Sequence, residues 1–375
     1  MAREYEVAVI GAGAAGVAAT VVAARSGCRV TLIDTGERPG GQYYRGADMS
    51  SLPASGLSYA ALAGDLDRLI AAGAVDYRPR TTAYALERES EQLLVRTRGD
   101  DRHRDHVGVV ESGTVVLATG AFDRPLPFPG WTLPGVMTGG GAQSLVKGQG
   151  VLPGRRVVVA GTGPFLLAVA ATLLEHGAHV AAVVEANDPV MGSLRQMRGL
   201  TAGLGKTGDL TRFLSALARH RVPYLRRHRI VEAVGDDRVT GVRVARVDAD
   251  WHPLPGTERV IECDAVSMGF GFVAQLDLAA QVGARMVRGA DGGLAVHVDG
   301  EQMTSVPGLL AAGETTGVGG VDAARVEGLV AGATAARRSG RGTALSASAL
   351  DGACRDVARW RRFAASLHAT FPVRT

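Results

Sequence analysis

Three glycines in the stretch VAVIGAGAAGVAAT, Gly11, Gly13 and Gly16, are spaced so that each does a different job. The first permits a tight turn, the second lets backbone N–H groups approach a pyrophosphate, and the third lets a helix pack closely on a strand. The amides of Ala14 and Ala15 then open a helix, whose N-terminal end favours an anion. Asp34 follows 18 residues after Gly16. At the end of a second strand, its carboxylate can accept hydrogen bonds from the hydroxyls of a ribose.

The far end of the chain supplies a second set. The stretch TSVPGLLAAGE, Thr304 to Glu314, predicts an apolar strand ending in Gly313 and Glu314, and a helix starts near Gly320. A flavin dinucleotide is long enough to need both ends of the chain. Glu314 would hydrogen-bond its ribityl or pyrophosphate region, with the helix start at Gly320 facing the flavin ring. A buried strand, TVVLATG, delivers Thr119 and Gly120 between the two sets. The pattern therefore predicts FAD rather than NAD at this site.

A similar stretch, VVVAGTGPFLLAVAA, keeps Gly161 and Gly163 but has Leu166 where the third glycine would stand. Pro164 is acceptable, since its fixed φ suits a first helical turn. Leu166 must either push helix and strand apart or turn aside. Glu185 ends the following strand and is expected to hold a ribose. Nothing basic follows it in EANDP, which argues against a 2′-phosphate and so against NADP. The alternatives here are a second adenine nucleotide, either NAD or an ATP- or ADP-like molecule, and an empty structural domain.

These motifs need elements to hold them. Tyr5 to Ile10, Ala14 to Ser26 and Arg29 to Asp34 predict strand, helix and strand, and Arg156 to Ala160, Phe165 to His176 and His179 to Glu185 repeat the pattern. Short strands are expected near Thr81 to Leu86 and Glu91 to Arg98, then a turn-rich tip in GDDRHRDHVG. Prolines in DRPLPFPGWTLPG break both helix and strand and suggest a crossing between domains. The predicted fold class is α/β, with two Rossmann-like dinucleotide-binding domains, the second inserted in the first. The expected boundaries are 1–122 with 264–340 for the FAD domain and 150–263 for the second domain. Residues 123–149 would form the crossing and 341–375 a helical tail.

Bulk properties narrow the function. The 375 residues are 46% hydrophobic and 21% charged, with a formal charge of +4 carried by scattered arginines. No basic stripe of the kind nucleic acid requires is present. No apolar run approaches the roughly 18 residues that span a membrane. Three cysteines far apart in sequence, Cys28, Cys263 and Cys354, suggest idle thiols in a reducing cytoplasm, and no metal site is expected. GLGKTG (Gly203 to Gly208) lacks the first glycine and the strand of a phosphate loop, and His103 with His106 falls in the charged tip. In the tail, Val357, Trp360, Ala364 and Leu367 share one helical face, with Arg355, Arg359, Arg361 and Arg362 mostly off it. Docking on the protein's own core is expected, and a basic edge toward an acidic iron-sulfur partner is the alternative.

GAGAAG, LATG and LLAAGE resemble the motifs of two-dinucleotide-fold flavoproteins of the thioredoxin reductase and ferredoxin reductase kind. RPGGQYYRG, ATGAFDRPLPFPGWTLPGVMTGGGAQSLVK and AGETTGVGGVDAARVEG carry a narrower resemblance. They are similar to the FAD subunit of hetero-oligomeric amino-acid and imino-acid dehydrogenases of the opine oxidase, hydrogen cyanide synthase and proline or hydroxyproline dehydrogenase type. That resemblance implies that Gly11, Gly13, Gly16 and Asp34 bind the adenosine and pyrophosphate part. It implies that Gly40, Gly41 and Gln42 form the loop beside the flavin, and that Gly313 and Glu314 form the second FAD segment. It also implies electron exchange with a 2Fe-2S protein and with a separate substrate-oxidising flavin subunit. The cysteine-rich cluster module of many relatives is expected on another polypeptide, since only Cys354 lies near Thr375. An NAD(P)H-dependent flavin oxidoreductase and a scaffold stabilised by nucleotide without turnover remain the alternatives.

Overall fold

The second half of β1 (Arg3–Ile10) is wholly apolar, and Val7, Ala8 and Val9 lose all solvent contact in it. The computed structural model describes residues 3–46, 55–101, 104–201, 203 and 207–374. Contacts divide the chain into two units. The first comprises the residues up to Ala121 with Ala274–Ala364, and the second Phe122–Val273 with Ala365–Thr375.

In the first unit, β1 leads through α1 (Ala14–Arg25) to β2 (Val30–Ile33), and α2 (Tyr59–Ala71) leads to β3 (Val75–Arg78). An antiparallel meander follows: β4 (Thr81–Glu89), β5 (Gln92–Asp101) and β6 (Arg104–Leu117). The sheet order is β3-β2-β1-β6-β5-β4. The expected turn-rich tip is instead ladder, since Gly99 pairs with His106 and Asp100 with Asp105. Charge clustering misleads there because a hairpin satisfies its backbone across the ladder whatever its side chains are. His103 lies outside the described residues, as do residues 204–206 of the GLGKTG stretch.

The second unit holds β7 (Ala121–Asp123) from Phe122 on, β8 (Val136–Thr138), α3 (Gly139–Gln149), β9 (Arg156–Gly161), α4 (Phe165–Glu175) and β10 (His179–Glu185). After α5 (Pro189–Leu200), α6 (Thr207–Arg219) and β11 (Tyr224–Arg226) comes an antiparallel sheet of β12 (His228–Val234), β13 (Gly241–Arg246) and β14 (Arg259–Glu262). β15 (Ala265–Gly269) and β16 (Phe272–Ala274) complete the inserted segment. The parallel sheet runs β11-β10-β9-β15-β8.

Two expected boundaries are thereby corrected. Residues 264–273 do not return to the first domain: the fully buried β15 pairs with β9 on one side and β8 on the other. Residues 123–149 are more than a crossing, because β8 and α3 are built from them. Prolines punctuate that segment without preventing short elements between them.

The chain then adds α7 (Asp277–Gln281), β17 (Met286–Arg288), β18 (Leu294–Val296) and β19 (Leu309–Ala311) to the first unit. A 3-10 turn, Gly313–Thr316, precedes α8 (Val321–Arg338). The last helix, α9 (Ala347–Thr370), extends the expected apolar face, and residues from Ala365 onward count with the second unit. No helix among the described residues is long and apolar enough to cross a membrane.

Apart from Arg25, α1 is buried throughout, and small residues let α8 press against it. A Cβ on Gly328 would stand 2.1 Å from the Ala15 carbonyl oxygen, and one on Gly332 2.5 Å from that of Ala19. Only glycine permits that backbone approach.

Candidate nucleotide site

Four parallel strands of the first unit end level with one another. Ile10 of β1 pairs with Leu117 of β6, and Leu117 with Ala311 of β19, while Ile10 also pairs with Ile33 of β2. The register brings the Gly11 turn, Asp34, Thr119 with Gly120, and Gly313 with Glu314 to one sheet edge. In open α/β sheets ligands bind at that carboxyl edge.

Within this edge the chain itself dictates some of the glycines. Gly11 has φ +101, and a Cβ on it would stand 2.2 Å from the Ala118 carbonyl oxygen. A Cβ on Gly16 would stand 1.7 Å from the Gly11 carbonyl oxygen. Gly13 differs, since its φ is −74° and an added Cβ would meet only Gly41 Cα, at 4.0 Å. No contact among the described residues demands glycine there, so the space is a cradle beside the N-terminus of α1. No side chain caps α1 and its first turn holds no acid, a feature shared with α4, whereas Ser58, Thr138 and Asp188 cap α2, α3 and α5. A pyrophosphate suits both the space and the uncapped dipole.

Asp34 is half-buried immediately after β2. Its Oδ2 accepts from the Ala12 amide at 2.5 Å and its Oδ1 from the Gly36 amide at 2.6 Å. It therefore fixes the glycine turn. The loop of Gly40, Gly41 and Gln42 returns to the same turn. The Gly40 amide donates to the Ala12 carbonyl at 2.8 Å, Gly41 has φ +57 close against Gly13, and Gln42 is exposed. Tyr44 anchors the loop by stacking on Tyr59, with ring centroids 3.7 Å apart and planes 5° from parallel.

The second segment is tied to the first. Thr119 Oγ1 lies 3.2 Å from Thr315 Oγ1 and donates to the Gln275 carbonyl at 3.1 Å, and Gly120 takes φ +76. Glu314 is half-buried, and burial pushes its carboxyl up to about 7 against the opposing hydrogen bond from the Gly320 amide. Gly320, at φ +83, is the N-cap residue of α8.

Sequence patterns did not expose Glu327. It is 3% exposed on α8, and its Oε2 accepts from the Gly313 amide at 2.9 Å and from Thr316 Oγ1 at 2.8 Å. Arg361 Nε of α9 donates to its Oε1 at 3.0 Å. Burial raises the carboxyl of Glu327, with the Arg361 charge the largest opposing effect. An acid set between Val326 and Gly328 on the otherwise apolar stretch of α8 was the available signal. The tail docks as its apolar face predicts, with Val357, Trp360 and Ala364 buried.

In the second unit Leu166 turns aside. It is 1% exposed within the apolar cluster of α4 and the sheet, and the room comes from Gly269, where a Cβ would stand 3.3 Å from Leu166 Cδ2. Gly161 abuts the Gly269 carbonyl, and Gly163 has φ +101 with open space where a Cβ would be. The turn shape thus survives, but Glu185 does not stand ready for a ribose. It is 0% exposed, its Oε1 accepts from Thr162 Oγ1 and the Asn187 amide, and its Oε2 accepts from the Gly163 amide. Asn187 covers it. The Asn187 Nδ2 donates to Thr162 Oγ1 at 2.7 Å and to the Pro372 carbonyl at 2.9 Å. The expectation that Glu185 holds a ribose is corrected on that ground: the carboxylate serves the fold, and EANDP gave no hint that Asn187 and the tail would close over it.

These features define an FAD-dependent oxidoreductase with two dinucleotide folds. Residues 5–340 match the pyridine nucleotide-disulphide oxidoreductase family, and the chain belongs to it. It is 33% identical over 328 residues to hydrogen cyanide synthase subunit HcnB of Pseudomonas aeruginosa, covering 86% of this chain and 69% of that one. It is 33% identical over 341 residues to one of the subunits of opine oxidase from Agrobacterium tumefaciens, covering 87% and 64%. Among solved structures, L-proline dehydrogenase from P. horikoshii superimposes with a TM-score of 0.63 at 18% identity, covering 94% of this chain and 59% of that one. Thioredoxin reductase from T. acidophilum gives 0.63 at 23% identity, covering 90% and 99%. Those two likenesses establish the fold.

Proposed function

We propose that this chain is the FAD-containing electron-transfer subunit of a multi-subunit amino-acid or imino-acid dehydrogenase or oxidase. The observation that carries the reading is the contrast between the two glycine turns. Both turns leave room at their second glycine and open an uncapped helix, but Asp34 beside the first is half-buried, whereas Glu185 beside the second is 0% exposed and already holds the Thr162 hydroxyl and two backbone amides. Relatives described as subunits of hydrogen cyanide synthase, opine oxidase and sarcosine oxidase support the multi-subunit part.

The residues present fit FAD. Gly11, Gly13 and Gly16 shape the pyrophosphate turn, Ala14 and Ala15 present the helix amides, Asp34 faces the ribose, and Gly313 with Glu314 takes the flavin half. Bound there, FAD supplies a two-electron carrier that no side chain of the protein replaces. The protein's own part is to bind and orient it. With Glu185 closed, electrons are assigned to a partner rather than to NADH, and the partners are a 2Fe-2S protein and a substrate-oxidising flavin subunit. Three free thiols suit a cytoplasmic assembly.

The test is an anaerobic titration of the purified protein. A yellow protein whose flavin is not bleached by NADH or NADPH, but is bleached by amino acid once the co-purifying subunits are added, is expected. A colourless protein that takes up no FAD overturns the cofactor, and bleaching by NADH alone overturns the assigned electron source.

A further inference from the structure

We infer that Arg361 is a positioning residue for the flavin half of the site: paired with the buried Glu327, it holds the Gly313–Thr316 turn in the shape that receives the cofactor. The inference rests on the FAD reading above and extends it to a helix no nucleotide motif includes.

The chain of contacts is short. Arg361 Nε reaches Glu327 Oε1 at 3.0 Å, and Glu327 Oε2 receives the Gly313 amide at 2.9 Å and the Thr316 hydroxyl at 2.8 Å. Gly313 takes φ +78, with Ala15 Cβ 3.0 Å from where its own Cβ would be, so the turn cannot drift toward α1 without a clash. Thr315 meets Thr119, and Glu314 receives the Gly320 amide. The Gly313 amide and the Thr316 hydroxyl, at the two ends of this turn, are thus held to the body of α8 through one carboxylate.

That carboxylate is 3% exposed, while the Arg361 side chain is 42% exposed and enters from the surface. A carboxylate buried without its cation cannot keep its charge cheaply, so losing Arg361 drives Glu327 toward its neutral form. A neutral carboxyl accepts more weakly. The Thr316 hydroxyl already has a second acceptor in the Gly313 carbonyl at 2.9 Å, and would settle there. The turn then loses its anchor while α1 and Asp34 keep theirs.

The experiment titrates cofactor-free protein with FAD and, separately, with ADP, which engages only the Gly11 to Asp34 half. Arg361→Met is expected to weaken FAD about tenfold or more while leaving ADP within about twofold, and Arg361→Lys to recover most of the loss. Amide exchange across residues 313–320 of the cofactor-free variant should quicken while that of α1 stays unchanged. Unchanged FAD affinity in Arg361→Met, or equal losses for FAD and ADP, overturns the inference while leaving the FAD reading standing. Wild-type protein that binds neither nucleotide overturns both.

Discussion

Leu166 of α4 and Gly269 of β15 have exchanged the roles expected of a helix glycine and a strand side chain: the bulk lies on the helix and the room for it on the strand. Leu166→Ala should therefore act as a core truncation, costing about 2–5 kcal/mol, with no gain in flavin bleaching by NADH. Gly269→Ala should destabilise the wild type measurably and do so less in the Leu166→Ala background. Denaturant midpoints of the four proteins check this, and simple additivity would show the two residues to be uncoupled.

Gly13 and Gly16 separate cofactor binding from folding. Gly13→Ala meets only Gly41 Cα at 4.0 Å and should leave the melting temperature of the cofactor-free protein nearly unchanged while weakening FAD about tenfold or more. Gly16→Ala runs into the Gly11 carbonyl and should yield little folded protein. Thermal melts of the cofactor-free variants, followed by FAD titration, distinguish the two.

Burial pushes the Glu185 carboxyl up to about 7 from 4.5, and the folded state thus keeps a proton that the unfolded chain releases. The associated stability is present below about pH 4.5 and is lost as pH rises through about 7. Glu314, also raised to about 7, adds the same sign. Melting temperatures should fall from about pH 5 to about pH 8, and Glu185→Gln should flatten part of that slope. It should also lower stability throughout, because its amide group cannot satisfy all three donors.

Asn187 is the link between Glu185 and the end of the chain. Asn187→Ala removes donors to Thr162 and to the Pro372 carbonyl, and should cost about 1–3 kcal/mol. Carboxypeptidase should then trim the residues after Thr370 faster than in the wild type. Equal trimming rates would show that other contacts hold the tail.

Both glycine turns, their flanking strands and helices, and the carboxylates that end β2 and β10 were legible because each is a local pattern of spacing and periodicity. What Glu185 does was not. Its position follows from local sequence, whereas its neighbour Asn187 is held by Trp251 and Pro372, which meet it only in the folded second unit. The Glu327 and Arg361 pair was hidden for the same reason, since 34 residues separate them. The placement of β15 failed on another ground: an apolar strand followed by glycines suits either sheet, and pairing with β9 and β8 settled it.

The close approach of α8 to α1 through Gly328 and Gly332 has a kinetic meaning. α1 begins at the turn proposed for the pyrophosphate and α8 at the turn proposed for the flavin half, so the two helices assigned to the cofactor are locked backbone to backbone. Neither half can be loosened like a flap. Cofactor exchange should be slow, and its rate should follow the opening of the α1 and α8 amides rather than the mobility of any surface loop.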